Sequence, residues 1–193
     1  MAGIAGIFIK NVDIGFDSSK LIKSFEKMMK SLVYNPAQLT NSYNGGNVVF
    51  GNAVTVSAIQ NDRFVEENGM PYHIIVDGLV FISEDEKAML TQKYKIHTAK
   101  YDYQYLPFLY DHYNRKFVNH LTGFFNIFIY NTQSNKMLLV NDRLGYLPLY
   151  YYNGIDYFLF ASKIDSILAS GLLPAIEFDE TTVAEQLFFN YPV

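Results

Sequence analysis

The chain opens Met1-Ala2-Gly3-Ile4-Ala5-Gly6-Ile7-Phe8, a run of small and apolar residues without a single charge. A short apolar run with no helical period reads as a buried strand, here over residues 3–10. No basic segment precedes it, so it is not a secretory signal. A strand that starts so early needs partners from further along, and the sequence supplies them. Residues 53–59 alternate, and residues 73–76 are a β-branched run that ends at Asp77-Gly78. Residues 124–130, 136–141, 149–152 and 157–161 are four more strands separated by turn signals, with hairpin loops at residues 131–135 and 152–154.

Helical spacing appears between these runs. Leu21, Ile22, Phe25, Met28, Met29 and Leu32 recur on one face, with Asp17, Ser18 or Ser19 as N-cap and Asn35-Pro36 as the stop. Residues 40–46 are turn-rich, and Tyr43-Asn44-Gly45-Gly46 closes a hairpin into residues 48–50. A second helix is expected from Tyr101, carrying Leu106, Leu109, Tyr110 and Tyr113. A short one covers residues 163–170 and ends at Gly171, and a last one covers residues 183–189 behind Asp179-Glu180-Thr181-Thr182. The pattern is α+β with much antiparallel sheet, expected as a single domain over residues 1–193.

Composition narrows the function. Half of the 193 residues are hydrophobic and 17% are aromatic, ample for a large core. Only 18% are charged, which suits a chain that buries part of its surface against another domain. The net charge of −4 argues against nucleic acid as a partner. No apolar run approaches the ~20 residues of a membrane span. Without cysteine there are no disulfides, thiolate metal sites or cysteine catalysis, and the cytoplasm is the expected location. His73, His97, His112 and His120 lack metal-ligand spacing, and Glu84-Asp85-Glu86 reads as a solvated loop or a helix N-terminus. Residues 122–128 lack the basic lead of an RNA-binding strand, and no phosphate-cradling loop or Gly-x-Ser-x-Gly elbow is present.

What remains is an ordered series of segments. Met1-Ala2-Gly3-Ile4 resembles Met-Cys-Gly-Ile, and Val76-Asp77-Gly78-Leu79-Val80-Phe81 stands where Asn-Gly-Glu-Ile-Tyr-Asn is found. Asp102 falls where Ser-Asp-x-Glu opens a helix, and Leu121-Thr122-Gly123-Phe124-Phe125 resembles Leu-x-Gly-x-Phe-Ala. Asn141-Asp142-Arg143-Leu144-Gly145-Tyr146-Leu147-Pro148-Leu149-Tyr150-Tyr151 resembles Arg-Asp-Arg-x-Gly-x-Lys-Pro-Leu-Tyr-Tyr, and Phe160-Ala161-Ser162-Lys163 resembles Phe-Ala-Ser-Glu. In this order they resemble the N-terminal class II glutamine amidotransferase domain of the asparagine synthetase family. The resemblance implies an N-terminal-nucleophile hydrolase fold, a four-layer αββα sandwich with two mainly antiparallel sheets.

It also implies a reaction, against which this chain departs. The family's cysteine at position 2 attacks the glutamine amide, with its own α-amino group as base. An Asn side chain and the next Gly N–H form the oxyanion hole. An Arg holds the substrate carboxylate and an Asp holds its amino group. Here the nucleophile position is Ala2, and the oxyanion-hole Asn position is Asp77, whose ionised carboxylate only accepts hydrogen bonds. Gly78 keeps the backbone donor, Asp102 keeps the amino-group position, and the carboxylate-binding Arg aligns with Ala53. The family's Arg-Gly-Pro loop is reduced to Tyr34-Asn35-Pro36, and Leu147 and Lys163 replace a Lys and a Glu.

The resemblance therefore implies a glutaminase-inactive domain that docks onto an ATP-dependent amide-forming synthetase domain, as in β-lactam synthetases and lasso-peptide cyclases. The alternatives are a genuine glutaminase domain whose cysteine was changed to Ala2, and a stand-alone ligand-binding or interaction module. No metal or cofactor is expected in this chain; ATP and Mg belong to the synthetase domain, which residues 1–193 do not include. The expected partner is such a domain in the same or another chain, with glutamine and a second copy of the chain as further candidates.

Overall fold

The structure is a computed structural model and describes residues 3–10, 18–34, 38–54, 63–67, 69–175 and 179–189. In chain order the elements are β1 (Gly3–Ile9), α1 (Ser18–Leu32), β2 (Leu39–Asn44), β3 (Val48–Val54), β4 (Phe64–Glu66) and β5 (Tyr72–Phe81). Then come α2 (Glu84–Tyr94), a 3-10 turn (Asp102–Tyr105), α3 (Leu106–Tyr113), a second 3-10 segment (Asn114–His120), β6 (Thr122–Asn131) and β7 (Lys136–Asn141). The series closes with β8 (Tyr150–Asn153), β9 (Tyr157–Ala161), α4 (Ile164–Ala169) and α5 (Glu180–Phe189).

The strands form two sheets, ordered β2-β3-β1-β9-β8 and β4-β5-β6-β7. Every strand pair is antiparallel. The opening run of small apolar residues lies in the middle of the first sheet, between β3 and β9, and is buried on both faces. Alternation assigns its two faces. Ala5, Ile7 and Ile9 pack under α1, against Leu21, Phe25, Met28, Met29 and Leu32. Ile4 turns to the other sheet, where it meets Phe50, Ile75, Phe128 and Phe160. On the far side of the second sheet, Ile74, Val76, Ile127 and Ile129 bury Leu90 of α2 and Leu106 and Leu109 of α3. The layers run helix, sheet, sheet, helix, which is the expected α+β sandwich.

Space between the sheets is set by Gly6. A Cβ there would lie 2.4 Å from the Phe160 ring and 2.9 Å from the Phe50 Cβ. Phe160 fills that room and stacks on Phe128 with ring centroids 4.5 Å apart.

Most predicted elements are present, with three corrections, and at Glu84-Asp85-Glu86 the helix N-terminus is the reading that holds. Residues 40–46, expected as turn, are mostly strand: β2 pairs with β3 from Leu39↔Val54 to Asn44↔Val49, and only the tip turns. The strand expected to end at Asp77-Gly78 runs on to Phe81, because β6 offers a continuous partner down to Phe81↔Thr122. Residues Glu84–Tyr94 are a helix, whose only buried residue is Leu90 and whose apolar face is therefore too thin to read as a period. Its signal was the start: Ser83 Oγ accepts from Glu86 N–H, and three acids fill the first turn. The helix expected at Tyr101 begins as a 3-10 turn, with Gln104 Oε1 accepting from the Lys100 and Tyr101 N–H groups. Asp17, Asn35-Pro36 and residues 55–59 lie outside the described residues.

Overpacking of this kind typically costs about 1–3 kcal/mol. Gly6→Ala should lower the unfolding free energy by that order in denaturant titration. Added to Phe160→Leu, it should cost less than it does alone, because the trimmed ring frees the space. Additive losses would show that the two positions do not share it.

Candidate functional site

At one end of the inter-sheet layer the apolar pattern stops. On β3, Val48 and Phe50 face the second sheet, and the next residue on that face is Asn52. On β9 the residue after Ala161 is Ser162, and on β5 the residue after Ile75 on the same face is Asp77. Sequence alternation put these polar side chains inside the sandwich, and the backbone around them says how they are held.

Ser162 joins three strands. Its N–H donates to Ile4 O at 2.9 Å, and its Oγ accepts from Ile4 N–H at 3.0 Å. The same hydroxyl donates to Asp77 Oδ2 at 2.9 Å, crossing from one sheet to the other. Asp77 is 6% exposed. Burial pushes its carboxyl above the usual carboxylate range, opposed by the Ser162 hydrogen bond, the Arg63 charge and a hydrogen bond from Asn126. Arg63 is placed by its carbonyl, which accepts from Val76 N–H at 3.0 Å.

Gly78 follows with φ +95°, a left-handed conformation inside a strand. A Cβ there would meet Phe124 O at 2.1 Å and Leu147 Cδ1 at 2.5 Å, so only glycine fits. Leu147 is held over it by a chain of amides. Asn141 Nδ2 donates to Leu147 O at 3.1 Å and to Asn126 Oδ1 at 2.6 Å, while Asn126 Nδ2 donates to Pro148 O at 3.0 Å. Asn126 pairs with Asp77 in the ladder, so the segment at residues 147–148 is fastened to the same spot.

The other expected site residues lie apart from this point. Asp102 is engaged on both oxygens: Oδ2 accepts from Ile82 N–H at 2.8 Å, and Oδ1 from Lys87 Nζ at 3.1 Å. Lys87 also meets Glu84 at 2.6 Å. No hydrogen bond or ion pair links Asp102 to Asp77, Gly78 or Ser162 among the described residues. Ala53 is fully buried on the opposite face of β3, in the core under α1, so the side chain on the Asp77 side is that of Asn52. Ala2, Asn35 and Pro36 lie outside the described residues. Lys163 Nζ donates to Ser31 O at 3.2 Å and sits over the Tyr34 ring, a cation at the C-terminal end of α1. No cluster of three or more metal-ligating side chains occurs among the described residues.

Asn52, Ser162, Asn126 and Arg63 were not singled out from the sequence. The available signal was Asn52 breaking the Val48-Phe50 alternation. Its amide is 1% exposed, and neither Oδ1 nor Nδ2 has a hydrogen-bond partner among the described residues.

Residues 53–169 match the family described as glutamine amidotransferase domain. The chain is 31% identical over 121 residues to amidase chry2 of Gibberella zeae, covering 63% of this chain and 18% of that protein. It is 25% identical over 151 residues to asparagine synthetase [glutamine-hydrolyzing] 3 of Bacillus subtilis, covering 76% of this chain and 25% of that protein. The chain thus spans a quarter or less of these two relatives. Among solved structures, it superposes on the glutamine phosphoribosylpyrophosphate amidotransferase of B. subtilis with a TM-score of 0.62 at 16% identity, over 88% of this chain and 43% of that one. At that identity the likeness is one of fold.

Two variants probe the polar end. Asn52→Leu replaces an unpaired buried amide with an apolar group of similar volume and should raise stability by about 1 kcal/mol or more; a loss of stability would mean the amide is satisfied in solution. For Asp77, the folded state binds the proton more tightly than the unfolded chain. Its contribution is present below the ordinary Asp range near ~4 and is lost as pH rises through the raised value. Asp77→Asn keeps the acceptor for Ser162 and has no charge to desolvate. It should melt above the native protein at neutral pH, with the gap closing toward pH ~4; a gap independent of pH would contradict this.

Proposed function

This chain belongs to the glutamine amidotransferase domain family, and on that premise we propose that it is a glutaminase-inactive member serving as the structural partner of an ATP-dependent, amide-forming synthetase domain. The observation that carries the reading is the state of Asp77. Amide hydrolysis places negative charge on the substrate oxygen, and that charge needs donors aimed at it. Asp77 holds a carboxyl group at the oxyanion-hole position. In its ionised form the group accepts only, and it already accepts from Ser162. A carboxylate in place of a donating amide opposes the developing charge, where loss of one donor alone typically costs ~10²–10³ in rate.

Three further features support the same reading. Position 2 is Ala2, which has no nucleophilic atom. Asp102 is neutralised by Lys87 from within the chain, which leaves less of its charge for a substrate ammonium group. Ala53 offers no cation for a substrate carboxylate, and it faces the core. Support for a docking role comes from α5, where Val183 and Leu187 lie one turn apart, Phe188 follows Leu187, and the three are 45%, 80% and 84% exposed. Such a face suits burial against another domain.

Glutamate release from glutamine, measured for the native chain and for Ala2→Cys, tests the proposal. Neither protein should turn over glutamine above the uncatalysed background, because restoring the thiol leaves Asp77 and Ala53 in place. Turnover by Ala2→Cys would instead identify a genuine glutaminase domain that differs only at its nucleophile.

A further inference from the structure

A cleft of about 560 Å³ opens on the helix-facing side of the second sheet, away from the layer that holds Asp77. Its floor is apolar, formed by Val118, Leu121, Phe125 and Val140. Its rim carries Arg143 and Leu144. Leu144 is 89% exposed, and Arg143 forms no salt bridge among the described residues.

The neighbouring acid does not neutralise Arg143. Asp142 is buried and turned into its own loop: Oδ1 accepts from Leu144 N–H at 2.9 Å, and Oδ2 from Tyr146 N–H at 3.2 Å. The Gly145 N–H donates to Asp142 O at 3.0 Å and closes the turn. The loop is therefore fixed by its own acid, and the guanidinium beside it has no ion-pair partner among the described residues. Arginine's planar fork matches a carboxylate in two-point hydrogen bonding. The volume lies within the range of small-molecule sites, and the floor has the apolar character such sites bury a ligand against.

We propose that this cleft binds a small carboxylic acid with an apolar body the size of a leucine or phenylalanine side chain, the carboxylate on Arg143 and the body on Leu121, Phe125 and Val140. The site goes beyond the proposed function and does not depend on it. The two regions are mechanically close, since Asn141 lines the cleft and its amide also holds Leu147 over Gly78.

The test uses hydrocinnamate and its uncharged analogue hydrocinnamamide, titrated into the native chain while the methyl resonances of Val118, Leu121 and Val140 are followed. Hydrocinnamate should give saturable shifts in the millimolar range, with the amide at least about tenfold weaker, as a charge-assisted pair requires. Arg143→Gln, an exposed substitution that leaves the fold intact, should remove the preference for the acid, and Arg143→Lys should keep only part of it. Absence of saturable shifts, equal binding of acid and amide, or an Arg143→Gln protein indistinguishable from native would each overturn the proposal. None of these results bears on glutaminase activity, so failure here is separable from failure of the proposed function.

Discussion

The room that Gly6 leaves for Phe160 and Phe50 on the inner face of the first sheet governs the rest of the molecule. Without a side chain at that point, Phe160 can lie flat on Phe128, and Ile4, Phe50 and Ile75 complete a dry layer around the pair. Once this layer is closed, the polar residues that continue the same faces have nowhere to meet water. Ser162 satisfies part of this end by linking Ile4 of β1 to Asp77 of β5, while the Asn52 amide has no partner among the described residues. A buried carboxyl in this position gives up hydration for a single hydroxyl donor and two weaker influences, hence its raised proton affinity.

The same geometry accounts for what the sequence disclosed and what it withheld. The inter-sheet and helix-facing strands are legible because they are short, nearly continuous apolar runs bounded by turn signals, as in residues 124–130 and 157–161. Helix α1 was legible from its broad apolar face. The helix Glu84–Tyr94 was not, since a helix that buries only Leu90 leaves almost no period. The extension of β5 past Gly78 was hidden because glycine at φ +95° is a backbone property that composition does not reveal.

The candidate site was legible in part. Asp77 and Gly78 are candidates through the resemblance of residues 76–81 to the family's Asn-Gly segment, and the structure gives both a defined setting. In a strand, adjacent residues face opposite layers, so Ala53 lies under α1 and Asn52 faces the Asp77 side, a phase that the resemblance at Ala53 does not carry. Asp102 is a candidate through the resemblance to the family's Ser-Asp-x-Glu segment, but its contacts to Ile82 and Lys87 arise from elements distant in sequence and cannot be read from spacing.

On the proposed reading, a domain that keeps its fold while its site residues turn inward retains value as a shaped surface. Here the apolar face of α5 and the cleft beside Arg143 remain open, whereas Asp77 and Asp102 are committed to internal partners. Calorimetric titration of the folded chain with glutamine addresses this most directly. An inactive site predicts no saturable heat up to tens of millimolar glutamine. Saturable binding that is lost in Asp102→Ala would contradict it and would mean that the pocket still receives its substrate.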